Sequence, residues 1–105
     1  MSTLQWIDAA AADQVPTDDV IGLVVQGRDI ALYNVAGTIC ATDNICSHGQ
    51  ARLSEGFLLE NEIECPLHQG RFNVKTGAPT CEPVTEAICT YSVKIEAGRV
   101  WVQMD

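Results

Sequence analysis

The sequence predicts an all-β fold class, an antiparallel sandwich or barrel, on three observations. Short apolar runs rich in β-branched and aromatic residues recur along the chain, Gly-bearing turns separate them, and a single stretch looks helical. In chain order, Asp8–Gln14 is expected to be that helical stretch, ended by Pro16. Ile21–Gln26 and Asp29–Val35 flank Gly27-Arg28 and are expected to form a hairpin, and Val35-Ala36-Gly37 then leads into a strand over Thr38–Thr42. Phe57–Leu59, Glu62–Cys65, Arg71–Val74, Thr90–Glu96 and Arg99–Met104 follow as strands, the last two joined through Ala97-Gly98. Trp6 and Trp101 lie on strand-like segments and are expected to pack in the core. The middle of the chain is less regular. Between about 43 and 83 it holds both histidines and many of the glycines, prolines and cysteines, which reads as loops mounted on a β scaffold.

At 105 residues the chain is expected to form one domain, 1–105, with a modest core and no large substrate cavity. A formal charge of −8, fourteen acids against six bases, repels nucleic acid and anionic lipid and favours a partner with a basic docking patch. No apolar run approaches the ~20 residues of a membrane-spanning helix. Met1–Asp8 lacks the pattern of a secretory signal, so a cytoplasmic location is expected. In a reducing compartment, five cysteines point to metal binding or plain burial rather than disulfides.

The chemistry-bearing constellation is Cys46-Ser47-His48 followed, beyond residues 49–64, by Cys65-Pro66-Leu67-His68. Each pair can place a thiolate and an imidazole on one metal from a tight loop, and two facing loops make a four-point cage. Soft sulfur and nitrogen donors, with no carboxylate in either loop, select iron–sulfur, zinc or copper over magnesium or calcium. Gly49 and Gly70 allow the backbone to approach a bulky cofactor and aim N–H groups at it. A tetrahedral zinc site stabilising a binding module is one reading. Zinc sites of that composition, however, usually group Cys with Cys and His with His. The mixed pairs suit a two-iron cluster with one iron on two sulfurs and the other on two nitrogens.

With Cys46-x-His48, Cys65-x-x-His68, Ala41–Asn44, Glu64–Phe72 and Tyr91–Glu96 in view, the chain resembles the Rieske-type ferredoxin components of naphthalene-type aromatic ring-hydroxylating dioxygenases over nearly its whole length. The resemblance implies a Rieske fold with a small loop-rich cluster-binding subdomain at about 43–83. It also implies one [2Fe–2S] cluster, with Cys46 and Cys65 on one iron and His48 and His68 on the other. Pro83, in Cys81-Glu82-Pro83-Val84, stands where the family has a loop covering the cluster. The implied role is a one-electron carrier, not an enzyme, between an NAD(P)H-dependent flavoprotein reductase and a terminal oxygenase. It would act as a soluble monomer with no nucleic acid or membrane partner. Nitrite reductase small subunits share the cluster type and are the alternative role. An oxygenase needs a second iron site with further histidines, and both histidines of this chain are already assigned.

Four departures from high-potential respiratory relatives carry a further implication. Ala51 and Leu67 stand at the positions of a bracing disulfide, and Gly70 and Phe72 at those of two hydroxyl donors to the cluster sulfurs. Fewer donors destabilise the reduced state, so a potential at the low end of the roughly −150 to +300 mV Rieske range is expected. Cys40, Cys81 and Cys89 are expected to be buried as small hydrophobes. Glu55, Glu60, Glu62 and Glu64 form a solvated or docking face. Arg52 and Arg71 are expected to make the cluster end less acidic than the body.

Overall fold

The computed structural model describes residues 4–47, 51–67, 70–81 and 86–104. Strands β1 (Gln5–Ala11), β2 (Asp19–Val25), β3 (Arg28–Val35) and β4 (Thr38–Asp43) come first. They are followed by β5 (Phe57–Leu59), β6 (Glu62–Glu64), β7 (Arg71–Asn73), β8 (Pro79–Cys81), β9 (Thr90–Tyr91), β10 (Val93–Glu96) and β11 (Arg99–Met104). They make three antiparallel sheets, ordered β1-β11-β10, β2-β3-β4-β9 and β5-β6-β7-β8. The all-β expectation therefore holds.

The middle sheet is covered on both faces. In β3, Ile30 and Leu32 point to one side and pack with Val25, Ala41, Val100, Val102 and Met104. Ala31 and Tyr33 point to the other and pack with Leu53, Ile63, Phe72, Val74, Cys46 and Cys65. The two-residue period of a strand sends alternate residues into the two cores, which is why β3 reads as an unbroken apolar run. At its second face the Thr42 hydroxyl donates to the Asp43 carbonyl (2.8 Å), leaving Tyr33 to donate to Thr42 Oγ1 (2.8 Å).

Three hairpins turn on the same device. Gln26-Gly27, Ala36-Gly37 and Ala97-Gly98 each place two successive residues at positive φ. This is the twist-matching type I′ geometry of two-residue hairpins. The first turn thus lies one residue earlier than Gly27-Arg28.

Two expectations need correction. Residues 8–11 are strand, and only Ala12–Gln14 forms a short 3₁₀ turn. β1 pairs with β11 across a bulge between Asp8 and Ala10, burying Ala10 against Val100 and Val102. That burial outweighs alanine's helix preference of a few tenths of a kcal/mol per residue. Trp6 and Trp101 are not core residues. Alternation in β11 turns Val100, Val102 and Met104 inward and Trp101 outward. On the same outer face Lys94 Nζ sits 4.7 Å from the Trp6 ring centroid. Among the described residues no helix is long and apolar enough to cross a membrane.

Candidate metal centre

Two short hairpins extend from the scaffold with the same construction. In the first, Ile45 bridges Arg52 across the strands, and the Cys46 N–H donates to the Ala51 carbonyl at 2.9 Å. In the second, Glu64 pairs with Arg71, and the Cys65 N–H donates to the Gly70 carbonyl at 2.7 Å. Each cysteine therefore closes a loop with the residue five positions on, and each loop is followed directly by an arginine. The segments Cys46-Ser-His-Gly-Gln-Ala-Arg52 and Cys65-Pro-Leu-His-Gln-Gly-Arg71 share this frame residue for residue at the cysteine, glutamine, small residue and arginine.

Cys46 and Cys65 are 3% and 2% exposed and lie in one buried cluster with Leu53, Ile63, Phe72 and Val74. No disulfide involves any of the five cysteines. Two buried thiols in one apolar cluster that holds no carboxylate fit a soft metal centre. Gly70 is buried at the base of the second loop, with its carbonyl turned to Cys65. His48, Gly49, His68 and Pro83 lie outside the described residues. The described residues contain no metal-binding group of three or more His, Cys, Asp or Glu.

Ala51, Leu67, Gly70 and Phe72, expected to set this chain apart from high-potential relatives, all lie among the described residues. Ala51 is buried behind the first loop and Leu67 is 60% exposed at the second. Phe72 is fully buried beside the two cysteines and offers no hydroxyl. Ile45, Pro66 and Leu67 line a surface groove of about 640 Å³, with Ala51, Arg52 and Glu55 completing it.

Several supporting contacts are not readable from spacing. Ser47, inside the first loop, donates its hydroxyl to the Glu86 carbonyl at 2.7 Å and so ties that loop to the chain just after 82–85. Gly56 packs so closely on the second hairpin that a Cβ there would lie 1.9 Å from the Glu64 carbonyl oxygen and 3.2 Å from Pro66 Cδ. Tyr91 donates its hydroxyl to Asp43, three residues before Cys46. Burial, and then that hydrogen bond, raise the Tyr91 pKa to about 12. Burial also raises the Tyr33 pKa.

Both arginines next to the loops are paired with carboxylates. Arg52 Nε lies 3.1 Å from Asp29 Oδ2, and Arg71 Nη2 lies 3.1 Å from Glu64 Oε1. Each positive charge offsets an adjacent carboxylate, which lowers the net negative charge beside the loops. The expected burial of the remaining cysteines holds only in part, for Cys40, which packs against the core. Cys40 is half-buried, whereas Cys81 and Cys89 are exposed. Cys81 ends the edge strand β8, and Cys89 precedes the two-residue β9.

Residues 5–92 match the family model for the Rieske [2Fe-2S] domain. The ferredoxin component of the naphthalene 1,2-dioxygenase/salicylate 5-hydroxylase systems of Ralstonia sp is 58% identical over 103 residues, covering 98% of this chain and 99% of that protein. Among solved structures, the Sphingomonas yanoikuyae B1 ferredoxin superposes with a TM-score of 0.92 at 33% identity, covering 96% of this chain and all of that one. A chain from the complex of reduced oxygenase and oxidized ferredoxin in carbazole 1,9a-dioxygenase gives a TM-score of 0.87 at 37% identity, covering 92% of this chain and 91% of that chain.

Proposed function

The chain belongs to the Rieske [2Fe–2S] domain family, and on that premise we propose that Cys46 and Cys65 hold one iron of a single cluster and His48 and His68 the other. The protein is a ferredoxin, an electron carrier rather than a catalyst, of the kind that serves ring-hydroxylating dioxygenase systems. Family membership selects the iron–sulfur reading of the donor set over the zinc one. The observation that supports the ligand assignment is the pair of matched hairpins, each with a buried cysteine at its base.

When bound, such a cluster supplies reversible one-electron chemistry. The chain holds, insulates and presents it. The two thiolates sit at the loop bases, inside a wall of Leu53, Ile63, Phe72 and Val74 that excludes water. A low-dielectric wall without hydroxyl donors disfavours added negative charge, which supports a low potential. The sequence puts the histidines further along each loop. As ligands of the outer iron, the histidines are the exit for the electron.

The electron comes from an NAD(P)H-dependent flavoprotein reductase and goes to a terminal oxygenase of an aromatic ring-hydroxylating dioxygenase. A relative in complex with an oxygenase supports that delivery. Residues about 43–83 act as the cluster-binding subdomain of a single-domain, monomeric cytoplasmic shuttle. The choice of aromatic substrate rests with the oxygenase.

Visible absorption and EPR of the purified protein test this. A red-brown protein that bleaches with dithionite and gains a reduced-state EPR signal is expected. A colourless holoprotein overturns the reading. Cys46→Ser is expected to lose the signal and most of its iron, and full iron occupancy in that variant removes the ligand assignment.

A further inference from the structure

Asn44 lies two residues before Cys46 and is 1% exposed. Its backbone N–H donates to the Asp29 carbonyl at 2.9 Å, and its carbonyl accepts from the Leu53 N–H at 2.7 Å. Its side-chain amide works in both directions. Nδ2 donates to Asp29 Oδ1 at 3.1 Å and to Ser54 Oγ at 3.0 Å, while Oδ1 accepts from the Ser54 N–H at 2.8 Å. One buried residue thus joins the entry of the first hairpin, its exit, and the start of β3.

The other oxygen of the Asp29 carboxylate takes the Arg52 Nε at 3.1 Å, opposite Ile45. The hub is also tightly enclosed. A Cβ at Gly22 would lie 2.8 Å from Asn44 Nδ2 and 2.5 Å from Ser54 Oγ, so β2 presses directly on it. The base of the second hairpin has a different brace, the partly exposed Arg71–Glu64 pair. The matched loops therefore stand on unequal foundations. A satisfied buried amide fixes direction far better than a solvated ion pair.

We propose that Asn44 is a positioning residue: through Asp29 and Ser54 it fixes the base of the first hairpin and so aims Cys46 at its iron. The proposal rests on the ligation argued above. Hydrogen bonding, not volume, is the operative property. Asn44→Asp separates the two, because it keeps the size and the acceptor for the Ser54 N–H. It loses both Nδ2 donors, however, and sets a carboxylate against that of Asp29. The double variant Asn44→Asp/Asp29→Asn returns a donor to the pair with the net charge unchanged.

The test uses the holoprotein, reading the g values of the reduced cluster and the rate of iron release to a chelator, with a thermal melt alongside. Asn44→Asp is expected to shift the g values and release iron at least about tenfold faster, the usual scale for losing a partner behind a metal ligand. The double variant is expected to recover most of both. Native g values and native release in Asn44→Asp overturn the proposal, as does a double variant no better than the single one. If Asn44→Asp does not fold, Ser54→Ala removes only the hydroxyl acceptor. A smaller g shift is then expected, and an unchanged spectrum and release rate overturn the proposal. A wild-type protein without any reduced-state signal would instead remove the ligation reading itself.

Discussion

The Ser47 hydroxyl donates to the backbone carbonyl of Glu86 at 2.7 Å, joining the Cys46 hairpin to a segment 39 residues further along the chain. Residues 82–85, which include Pro83, immediately precede that anchor. One neutral hydrogen bond contributes about 1 kcal/mol, so Ser47→Ala should make local opening at the anchor roughly fivefold more frequent. Hydrogen exchange at the amides of 86–89 measures this directly. Protection equal to wild type would show that the tether is idle.

Both tyrosines of the chain hold their protons more tightly than free tyrosine. For Tyr91 the folded pKa is about 12 against 10.0 for a free tyrosine, from burial first and the Asp43 bond second. The folded state therefore binds more protons than the unfolded chain in that interval. Stability from this source is fully present below pH 10 and is lost as pH rises from 10 toward about 12. Tyrosinate absorbance should stay flat near pH 10 in the native protein. The fall in melting temperature across that window should be smaller in Tyr91→Phe, and an identical fall in the two proteins would refute the attribution.

Phe72 is fully buried against the cysteines, and Gly70 closes the second loop. Gly70→Ser and Phe72→Tyr each offer a hydroxyl where this chain has none. A donor to a charged acceptor is worth about 1.5 kcal/mol, or roughly 60 mV for one electron. Each variant should raise the midpoint potential by up to that amount in a redox titration. A potential unmoved or lowered in both would remove the hydroxyl argument for a low potential.

Gly56 has no room for a side chain. The clash is with backbone, a carbonyl oxygen only 1.9 Å from the would-be Cβ, so rotamer changes cannot relieve it. Gly56→Ala should cost about 3 kcal/mol, the upper end for a single substitution. For a domain of this size that lowers the melting temperature by roughly 12 °C or more. A thermal melt within a few degrees of wild type would mean that the second hairpin yields at little cost.

Local pattern explains what was legible. β11 could be read because one of its faces is buried, giving the alternation of Val100, Val102 and Met104. The hairpins could be read because glycines mark their turns. Cys46 and Cys65, the proposed ligands, stand out from the other cysteines because each is a few residues from a histidine. The strand over residues 8–11 was not visible, since its alanines carry no β signal and its partner lies at the other end of the chain. The outward Trp6 and Trp101 and the exposed Cys81 and Cys89 show that residue type alone does not report which face is covered. The Asn44 hub was hidden for a different reason. Asp29, Asn44 and Ser54 are far apart in sequence, and three common polar residues announce nothing until folding brings them together.

The pairing of Gln5 with Met104 closes the outer sheet by setting the two ends of the described chain opposite each other. Both ends belong to the sheet that packs on the far face of β3 from the cysteine cluster. A short linker could join them there, and new termini could be opened at the exposed Gln26-Gly27 turn, a circular permutation that leaves both ligand hairpins uncut. The same geometry recommends this edge as the attachment point for a tethered redox partner or an electrode linker. Material fixed there would be held by the scaffold, away from the Ile45–Leu67 surface.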